Sequence, residues 1–193
     1  MIRIGILGAI GSGKSFVAKN FGYPVFNADE EVSKLYKKDK KIYKKLKNKL
    51  PKYINNFPIN KKEITIAILA NKNNLKKIVK IVHLEVRKKM NKFINKNKHK
   101  KFIILDIPLL LENRINNKDD VLIFIQSKKS EIKKRLKLRN NFNNKVFNKF
   151  TELQLPLNYK KKKSKNIIKN DFKKKTVKNS IKNILNNISI WMM

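Results

Sequence analysis

The first fifteen residues, MIRIGILGAIGSGKS, constrain the fold of this chain more than any other segment. Ile2 to Leu7 form a short apolar run that is typical of a parallel strand buried on both faces. The run leads into GAIGSGKS at residues 8–15, which matches the pattern G-x-x-x-x-G-K-[ST] of a phosphate-binding loop. The segment therefore predicts an α/β fold in which a buried strand, this loop and a helix follow one another.

Each residue of the loop suits one part of a chain of phosphates. Gly8, Gly11 and Gly13 permit a backbone path in which successive N–H groups converge on phosphate oxygens. Lys14 supplies a point charge suited to the β and γ phosphates, and Ser15 supplies a hydroxyl suited to Mg²⁺. A glycine-rich turn that binds nothing would explain neither the Lys-Ser pair nor the strand before it.

The composition narrows the classes of protein and of metal site. A length of 193 residues suits one domain, and no apolar run approaches 18 residues, so we expect a cytoplasmic protein without a membrane partner. The lack of cysteine excludes disulfides and thiolate metal sites, and two histidines argue against a histidine metal site. Any metal is therefore expected to be Mg²⁺ on oxygen ligands.

The formal net charge of +36 resembles that of a nucleic-acid-binding protein. Only five of the 49 basic residues are arginine, and the lysines are accompanied by many asparagines and isoleucines. Because Lys, Asn and Ile share codons rich in A and T, the base composition of a genome accounts for this bias. We expect weak, nonspecific adhesion to polyanions and no specific nucleic-acid partner.

Two aspartates follow predicted strands. Asp29 closes the segment PVFNAD, and Asp106 ends the apolar run that begins at Lys101. Because ligands of open α/β sheets bind at the carboxyl ends of the strands, both carboxylates are expected to face the crevice of the phosphate loop. Two structural alternatives stay open: Asp29 as the N-cap of a helix that starts near Glu30, and Asp106 as a turn-stabilising residue.

Apolar spacing predicts one long amphipathic helix in the middle of the chain. Apolar residues recur at steps of three and four positions from Leu75 to Phe93. His83 and Arg87 lie one turn apart on this helix, where the histidine could have either a structural or a substrate-binding role. Residues 34–62 give no clear pattern beyond the helix breaks expected at their prolines.

The second half of the chain predicts two more strands. Asp120 to Ile125 is expected to be the fourth strand, and Asn166 to Ile168 the fifth. Ile107 to Glu112 is expected to be a loop that leads into a helix. Thr176 to Met192 is expected to close the chain as an amphipathic helix.

Two basic groups between the last two strands receive different interpretations. Arg135 and Arg139 are four residues apart and share one helix face, which favours bidentate phosphate contacts, although a solvated face is an alternative. The lysine run Lys160 to Lys163 is interpreted as a solvated face.

The order of these segments resembles that of the dephospho-CoA kinase family over roughly residues 1–170. The segments that carry the resemblance are GAIGSGKS, PVFNADE, HLEVR, LDIPLLLEN, RLKLRN and QLPLNYK. The resemblance implies transfer of a phosphoryl group from ATP, with Mg²⁺, to the ribose 3′-hydroxyl of dephospho-CoA. It also implies a three-layer α/β fold with a parallel five-stranded sheet in the order 2-3-1-4-5.

The resemblance further implies roles for individual residues. Asp29 would accept the proton of the acceptor hydroxyl, with Lys14 and Arg139 as the other catalytic residues. The residues implied for ATP are Gly11, Ser12, Gly13, Lys14, Ser15, Phe16, Arg135 and Arg139. The residues implied for the acceptor are Asp29, His83, Arg87, Pro108, Leu109 and Glu112. Ser15 and Asp106 would hold Mg²⁺, and Asn170 would lie near the adenine-side loop.

We expect one kinase domain over residues 1–193, whose subregions are a core (1–30 and 101–127), a helical acceptor-binding segment (31–100), a lid (128–165), and a last strand with the closing helix (166–193). A nucleoside or nucleotide kinase of the same fold is one alternative function. A nucleotide-dependent, RNA-associated protein is another.

Overall fold

A computed structural model describes residues 1–138 and 142–190, and its chain divides into two compact units. The sheet unit comprises Met1–Asn27, Asn97–Phe142 and Phe150–Met193. The helical unit comprises Ala28–Lys96 and Asn143–Lys149. No helix among the described residues is both long and apolar enough to cross a membrane.

The sheet unit is built on five parallel strands. They are β1 (Ile2–Gly8), β2 (Val25–Asn27), β3 (Phe102–Asp106), β4 (Val121–Gln126) and β5 (Asn166–Lys169). Their order in the sheet is β2-β3-β1-β4-β5, which confirms the predicted arrangement. β1 lies at the centre and pairs with β3 on one side and β4 on the other, so the chain leaves β1 in the middle of the sheet's carboxyl edge.

Helices cover this sheet. Those of the sheet unit are α1 (Lys14–Lys19), α6 (Lys129–Lys137), α8 (Leu157–Lys163) and α9 (Lys174–Ile190). The main core joins apolar side chains of the sheet to those of α1 and α9, including Ile6, Ile123, Val17 and Val177. Burial on both faces explains why the strands are continuous apolar runs.

The helical unit is organised around one long helix. Its elements are α2 (Ala28–Lys38), α3 (Lys40–Lys49), α4 (Lys61–Ala70), α5 (Lys72–Lys96) and the first part of α7 (Asn144–Glu152). The buried face of α5 includes Leu75, Ile78, Val82 and Val86, as the spacing predicts. Side-chain caps at Asp39 and Asn60 begin α3 and α4 in the segment whose sequence gave no clear pattern.

The structure corrects two predictions in the sheet unit. The segment after β3 is a series of turns over residues 108–114, not a loop that leads into a helix, and Arg114 ends it with a positive φ of 49°. Lys160 is also not part of a solvated face, because its side chain is buried against a carboxylate described below. The other lysines of that run, Lys161 to Lys163, are exposed as predicted.

Replacement of one core isoleucine should reveal how far stability depends on the sheet. Ile123 on β4 is fully buried, so Ile123→Ala should lower the free energy of unfolding by about 2–5 kcal/mol, measured by urea denaturation. The matched control is Ile167→Ala on β5, where 41% of the residue is exposed and a loss of no more than about 1 kcal/mol is expected. Equal losses in the two variants would contradict this assignment of the core.

Candidate active site

The phosphate-binding loop leaves β1 at Gly8 and enters α1 at Lys14. Gly13 precedes the helix in the left-handed conformation, with φ of 84° and ψ of 25°. A Cβ atom there would lie 2.4 Å from Asn170 Nδ2 and 2.7 Å from Phe172 Cε1. Glycine is therefore required at this position both by the backbone angle and by the loop that packs on it.

The side chain of Lys14 turns back toward the start of the phosphate-binding loop. Its buried side chain donates hydrogen bonds from Nζ to the carbonyl oxygens of Gly8, at 3.2 Å, and of Ala9, at 2.8 Å. The ammonium group is thus fixed beside the loop, at the place where the motif predicts phosphate oxygens.

Three polar side chains meet at the carboxyl edge of the sheet. Asn27 Nδ2 lies 2.7 Å from Asp106 Oδ2 and 3.4 Å from Ser15 Oγ. Asn27 and Asp106 are register partners at the ends of β2 and β3, and Ser15 stands in the first turn of α1. Asp106 is only 3% exposed, so its carboxylate is fixed by the sheet beside the loop hydroxyl.

Sequence reasoning missed Asn27 in this group. Asn27 lies two positions before Asp29 in PVFNADE, and the prediction for this segment concerned the carboxylate of Asp29 only. Its place at the end of a strand was the available signal, because polar residues at that edge of a parallel sheet face the ligand crevice. The three side chains supply hydroxyl, amide and carboxylate oxygens, which is the donor chemistry that Mg²⁺ prefers.

A second loop packs against the phosphate-binding loop from the end of β5. The carbonyl oxygen of Ser12 accepts hydrogen bonds from Asn170 Nδ2 and Ser127 Oγ, both at 2.9 Å. Asn170 Oδ1 in turn accepts a hydrogen bond from the backbone N–H of Phe172, at 2.9 Å. The ends of β4 and β5 therefore hold the middle of the phosphate-binding loop in place.

Arg135 extends this surface from α6. Its guanidinium group lies over the ring of Phe172, 3.7 Å from the centroid, as expected for a cation–π contact. Ile132 and Leu136 of the same helix lie against Gly11, where a Cβ atom would approach them to 3.0–3.2 Å. Arg139, the other half of the predicted arginine pair, lies outside the described residues.

Asp29 lies in the helical unit, in the first turn of α2. It is the second residue of this helix, which begins at Ala28, so the alternative that it caps a helix starting near Glu30 is wrong. Its carboxylate is exposed. The acidic first turn, with Glu30 and Glu31, suits the positive end of the helix dipole.

His83 and Arg87 lie on α5, as predicted. The His83 side chain is half-buried and Arg87 is exposed. Burial of the imidazole lowers the pKa of His83 below its ordinary value, and the positive charge of Arg87 lowers it further. Both effects favour the neutral imidazole, in which one ring nitrogen can donate a hydrogen bond and the other can accept one.

Pro108, Leu109 and Glu112 lie in the turns that follow β3. Pro108 and Leu109 are half-buried. Glu112 Oε1 lies 2.6 Å from Lys160 Nζ and accepts a hydrogen bond from the backbone N–H of Leu155, at 2.9 Å. The ion pair and the hydrogen bond of Glu112 Oε1 are thus both made with groups of the protein itself.

A model of one protein family, described as dephospho-CoA kinase, matches residues 2–176. The chain belongs to the dephospho-CoA kinase family. A dephospho-CoA kinase of Wolbachia from Brugia malayi is 36% identical over 166 residues, which cover 83% of this chain and 85% of the relative. The resemblance in the ordered motifs is therefore confirmed, and with it a kinase that phosphorylates a hydroxyl group.

Solved structures show the same fold. A crystal structure from Thermus thermophilus superposes with a TM-score of 0.78 at 23% identity, covering 96% of this chain and 97% of its own. A dephospho-CoA kinase from Campylobacter jejuni gives a TM-score of 0.61 at 19% identity, covering 97% of this chain and 98% of its own. The parallel sheet with its order 2-3-1-4-5 thus belongs to a fold that is shared with these solved structures.

Among residues 1–138 and 142–190, no group of three or more His, Cys, Asp and Glu side chains could hold a metal ion by itself. The cluster of Ser15, Asn27 and Asp106 contains a single carboxylate. A divalent cation would therefore need further oxygen ligands, such as nucleotide phosphates or water.

Gly13→Ala should abolish measurable ATP binding. The new Cβ atom would meet Asn170 and Phe172 below 3 Å, and the φ of 84° is unfavourable for alanine, so the loop must shift. Isothermal titration calorimetry with ATP is the measurement. Gly22→Ala is the control, because it has a similar φ of 74° but no atom within 4 Å of the added Cβ, and it should bind ATP normally. Normal binding by Gly13→Ala would contradict the loop geometry.

Arg87→Gln should raise the pKa of His83 while leaving it below its ordinary value. The substitution removes the positive charge that lowers this pKa, but the larger effect of burial persists. An NMR titration of the imidazole protons measures the pKa, with Lys92→Gln as a control for the loss of a charge nine residues away on the same helix. The other histidine, His99, is assigned with His99→Gln. An unchanged His83 pKa in Arg87→Gln would show that this charge does not reach the imidazole.

Proposed function

We propose that this chain transfers the γ-phosphoryl group of ATP to the ribose 3′-hydroxyl of dephospho-CoA, giving CoA and ADP. Membership of the dephospho-CoA kinase family supports the acceptor. The observation that carries the reaction type is the juxtaposition of the phosphate-binding loop with Ser15, Asn27 and Asp106 at one edge of the sheet. A loop alone binds nucleotides, whereas these side chains add the oxygen ligands that phosphoryl transfer requires.

ATP phosphates bind in the loop. The backbone N–H groups of Gly11, Ser12 and Gly13 converge on phosphate oxygens, and the N-terminal end of α1 adds its dipole. Lys14 exchanges its two carbonyl contacts for oxygens of the β and γ phosphates. Phe16 follows Ser15 into α1 and completes the donor side of the site.

Ser15 and Asp106 would hold Mg²⁺ when the ion is bound. Their oxygen atoms and the amide of Asn27 fit this ion, because it prefers hard oxygen ligands and keeps part of its coordination for phosphates and water. When bound, Mg²⁺ neutralises the charge on the β and γ phosphates. Asn27 keeps the carboxylate of Asp106 oriented by donating a hydrogen bond to it.

Asp29 is the general base. It accepts the proton of the 3′-hydroxyl as the new bond between that oxygen and the γ-phosphorus forms and the bond to the β–γ bridging oxygen breaks. ADP leaves with the electron pair of the broken bond. Arg135, together with Arg139, balances the negative charge that moves onto the leaving oxygen.

The acceptor is held by polar groups on α5 and by the turns after β3. A neutral His83 and a charged Arg87 offer a hydrogen-bonding group and a cation to the nucleotide part of dephospho-CoA. Pro108 and Leu109 offer half-buried apolar surface.

We assign the whole activity to one kinase domain with a lid over residues 128–165, and we expect it to act in the cytoplasm.

Asp29→Asn should separate catalysis from ATP binding. Loss of the base should lower kcat by about 10²–10⁴-fold, while the Kd for ATP stays near that of the parent enzyme. A coupled assay that follows ADP release measures kcat with dephospho-CoA, and calorimetry measures the Kd.

Glu30→Gln is the matched control, since it removes a neighbouring carboxylate of the same helix turn. Its kcat should stay within about twofold of the parent value. Normal turnover by Asp29→Asn would remove the base assignment, and faster phosphorylation of nucleosides than of dephospho-CoA would reassign the acceptor.

A further inference from the structure

Glu112 and Lys160 form a buried ion pair in the sheet unit. Glu112 Oε1 and Lys160 Nζ are 2.6 Å apart, and only 8% and 1% of the two side chains are exposed. The neighbouring lysines Lys161 to Lys163 are exposed. A general excess of lysine explains exposed lysines, but it does not explain a lysine that is removed from water.

The pair joins two segments that are far apart in the chain. Glu112 belongs to the turns after β3, and Lys160 lies in α8. The same carboxylate oxygen accepts a hydrogen bond from the N–H of Leu155, just before α8. Glu112 Oε2 is buried and has no hydrogen-bond partner within residues 1–138 and 142–190, so the contacts of this carboxylate converge on one oxygen.

The ion pair is one of the contacts that connect the segment after β3 to the rest of the sheet unit. Asp106 is held in the sheet because β3 pairs with both β1 and β2. Residues 108–114 follow β3 and are not part of the sheet. Local backbone hydrogen bonds hold these turns, such as Asn113 N–H to Leu109 O at 3.1 Å and Ile115 N–H to Leu110 O at 3.0 Å. Glu112 connects these turns to α8.

Buried ion pairs are a poor source of net stability. Removing two charges from water costs about as much as their attraction returns, so well-packed apolar residues often serve as well. What such a pair does provide is a defined geometry, because the charges tolerate few other arrangements. Because one member of this pair lies in the turns after β3, its main effect is to fix the geometry of those turns.

We propose that Lys160 is a positioning residue that acts through Glu112 to fix the turns carrying Pro108 and Leu109. Glu112 then supports the acceptor side of the site through these turns instead of touching the acceptor. The kinetic part of this inference rests on the proposed function, in which Pro108 and Leu109 contact dephospho-CoA. The structural part does not.

Hydrogen exchange tests the structural part without any substrate. In Lys160→Met, the amides of residues 109–115 should exchange about tenfold faster or more, while those of β4 keep their protection. Lys161→Met is the matched control, because it removes an exposed lysine from the next position, and its exchange should match that of the parent.

A double variant separates positioning from stability. Lys160→Met leaves a buried, unpaired carboxylate that could lower overall stability, whereas Glu112→Gln with Lys160→Met leaves no unpaired charge. The double variant should melt near the parent temperature and still show fast exchange in residues 109–115. Lys160→Arg keeps the charge and should restore slow exchange.

Kinetics test the consequence for the site. Lys160→Met and the double variant should raise the KM for dephospho-CoA about tenfold, with the KM for ATP within about twofold of the parent value. Lys161→Met should change neither constant. A parent enzyme that does not use dephospho-CoA would refute the proposed function and leave the exchange result standing.

Four results would overturn the proposal, and the first three concern exchange and kinetics. They are unchanged exchange in residues 109–115, a KM for dephospho-CoA no higher than that of Lys161→Met, and equal increases in the KM values of both substrates. A double variant that no longer folds would assign the pair to global stability and would overturn it as well.

Discussion

The parallel pairing of β1 with a strand on each side is the constraint on which the rest of the site depends. Parallel strands end at the same edge, so pairing with β3 brings Asp106 beside the loop that leaves β1. Pairing with β4 brings Ser127, which follows that strand, to the carbonyl oxygen of Ser12. The backbone hydrogen bonds between the strands thus bring the polar side chains of the site together.

Local sequence was sufficient to predict the structure wherever a pattern was repeated within one element. The strands are apolar runs because both faces of the sheet are covered, and α5 shows its buried stripe at helical spacing. The loop motif predicts its own geometry because glycine is needed at Gly13 for a positive φ. In these cases the residues that determine the structure lie within a few positions of one another.

Contacts between distant segments could not be predicted from local sequence in the same way. Asn27 meets Asp106 across 79 positions, and Asn170 meets Ser12 across 158 positions. Lys160 ends the segment QLPLNYK that carries the family resemblance, but neither this segment nor the lysine run indicates that the residue faces a buried glutamate. The turns after β3 were also missed, since the apolar run PLLL fits a helix as well as it fits turns that pack on the sheet. The roles of Asp29, His83 and Arg87 stay predictions that rest on the family.

The hydrogen bonds of Lys14 to the carbonyl oxygens of Gly8 and Ala9 have a thermodynamic consequence for nucleotide binding. The ammonium is already desolvated and held in one rotamer, so most of the entropy of ordering this long side chain is lost during folding. In the proposed mode of ATP binding, Lys14 exchanges these contacts for phosphate oxygens and requires little further ordering. In that mode of binding, the affinity for ATP is a difference between two well-satisfied states of the same amine, so it understates the strength of the contacts that the amine makes in the complex.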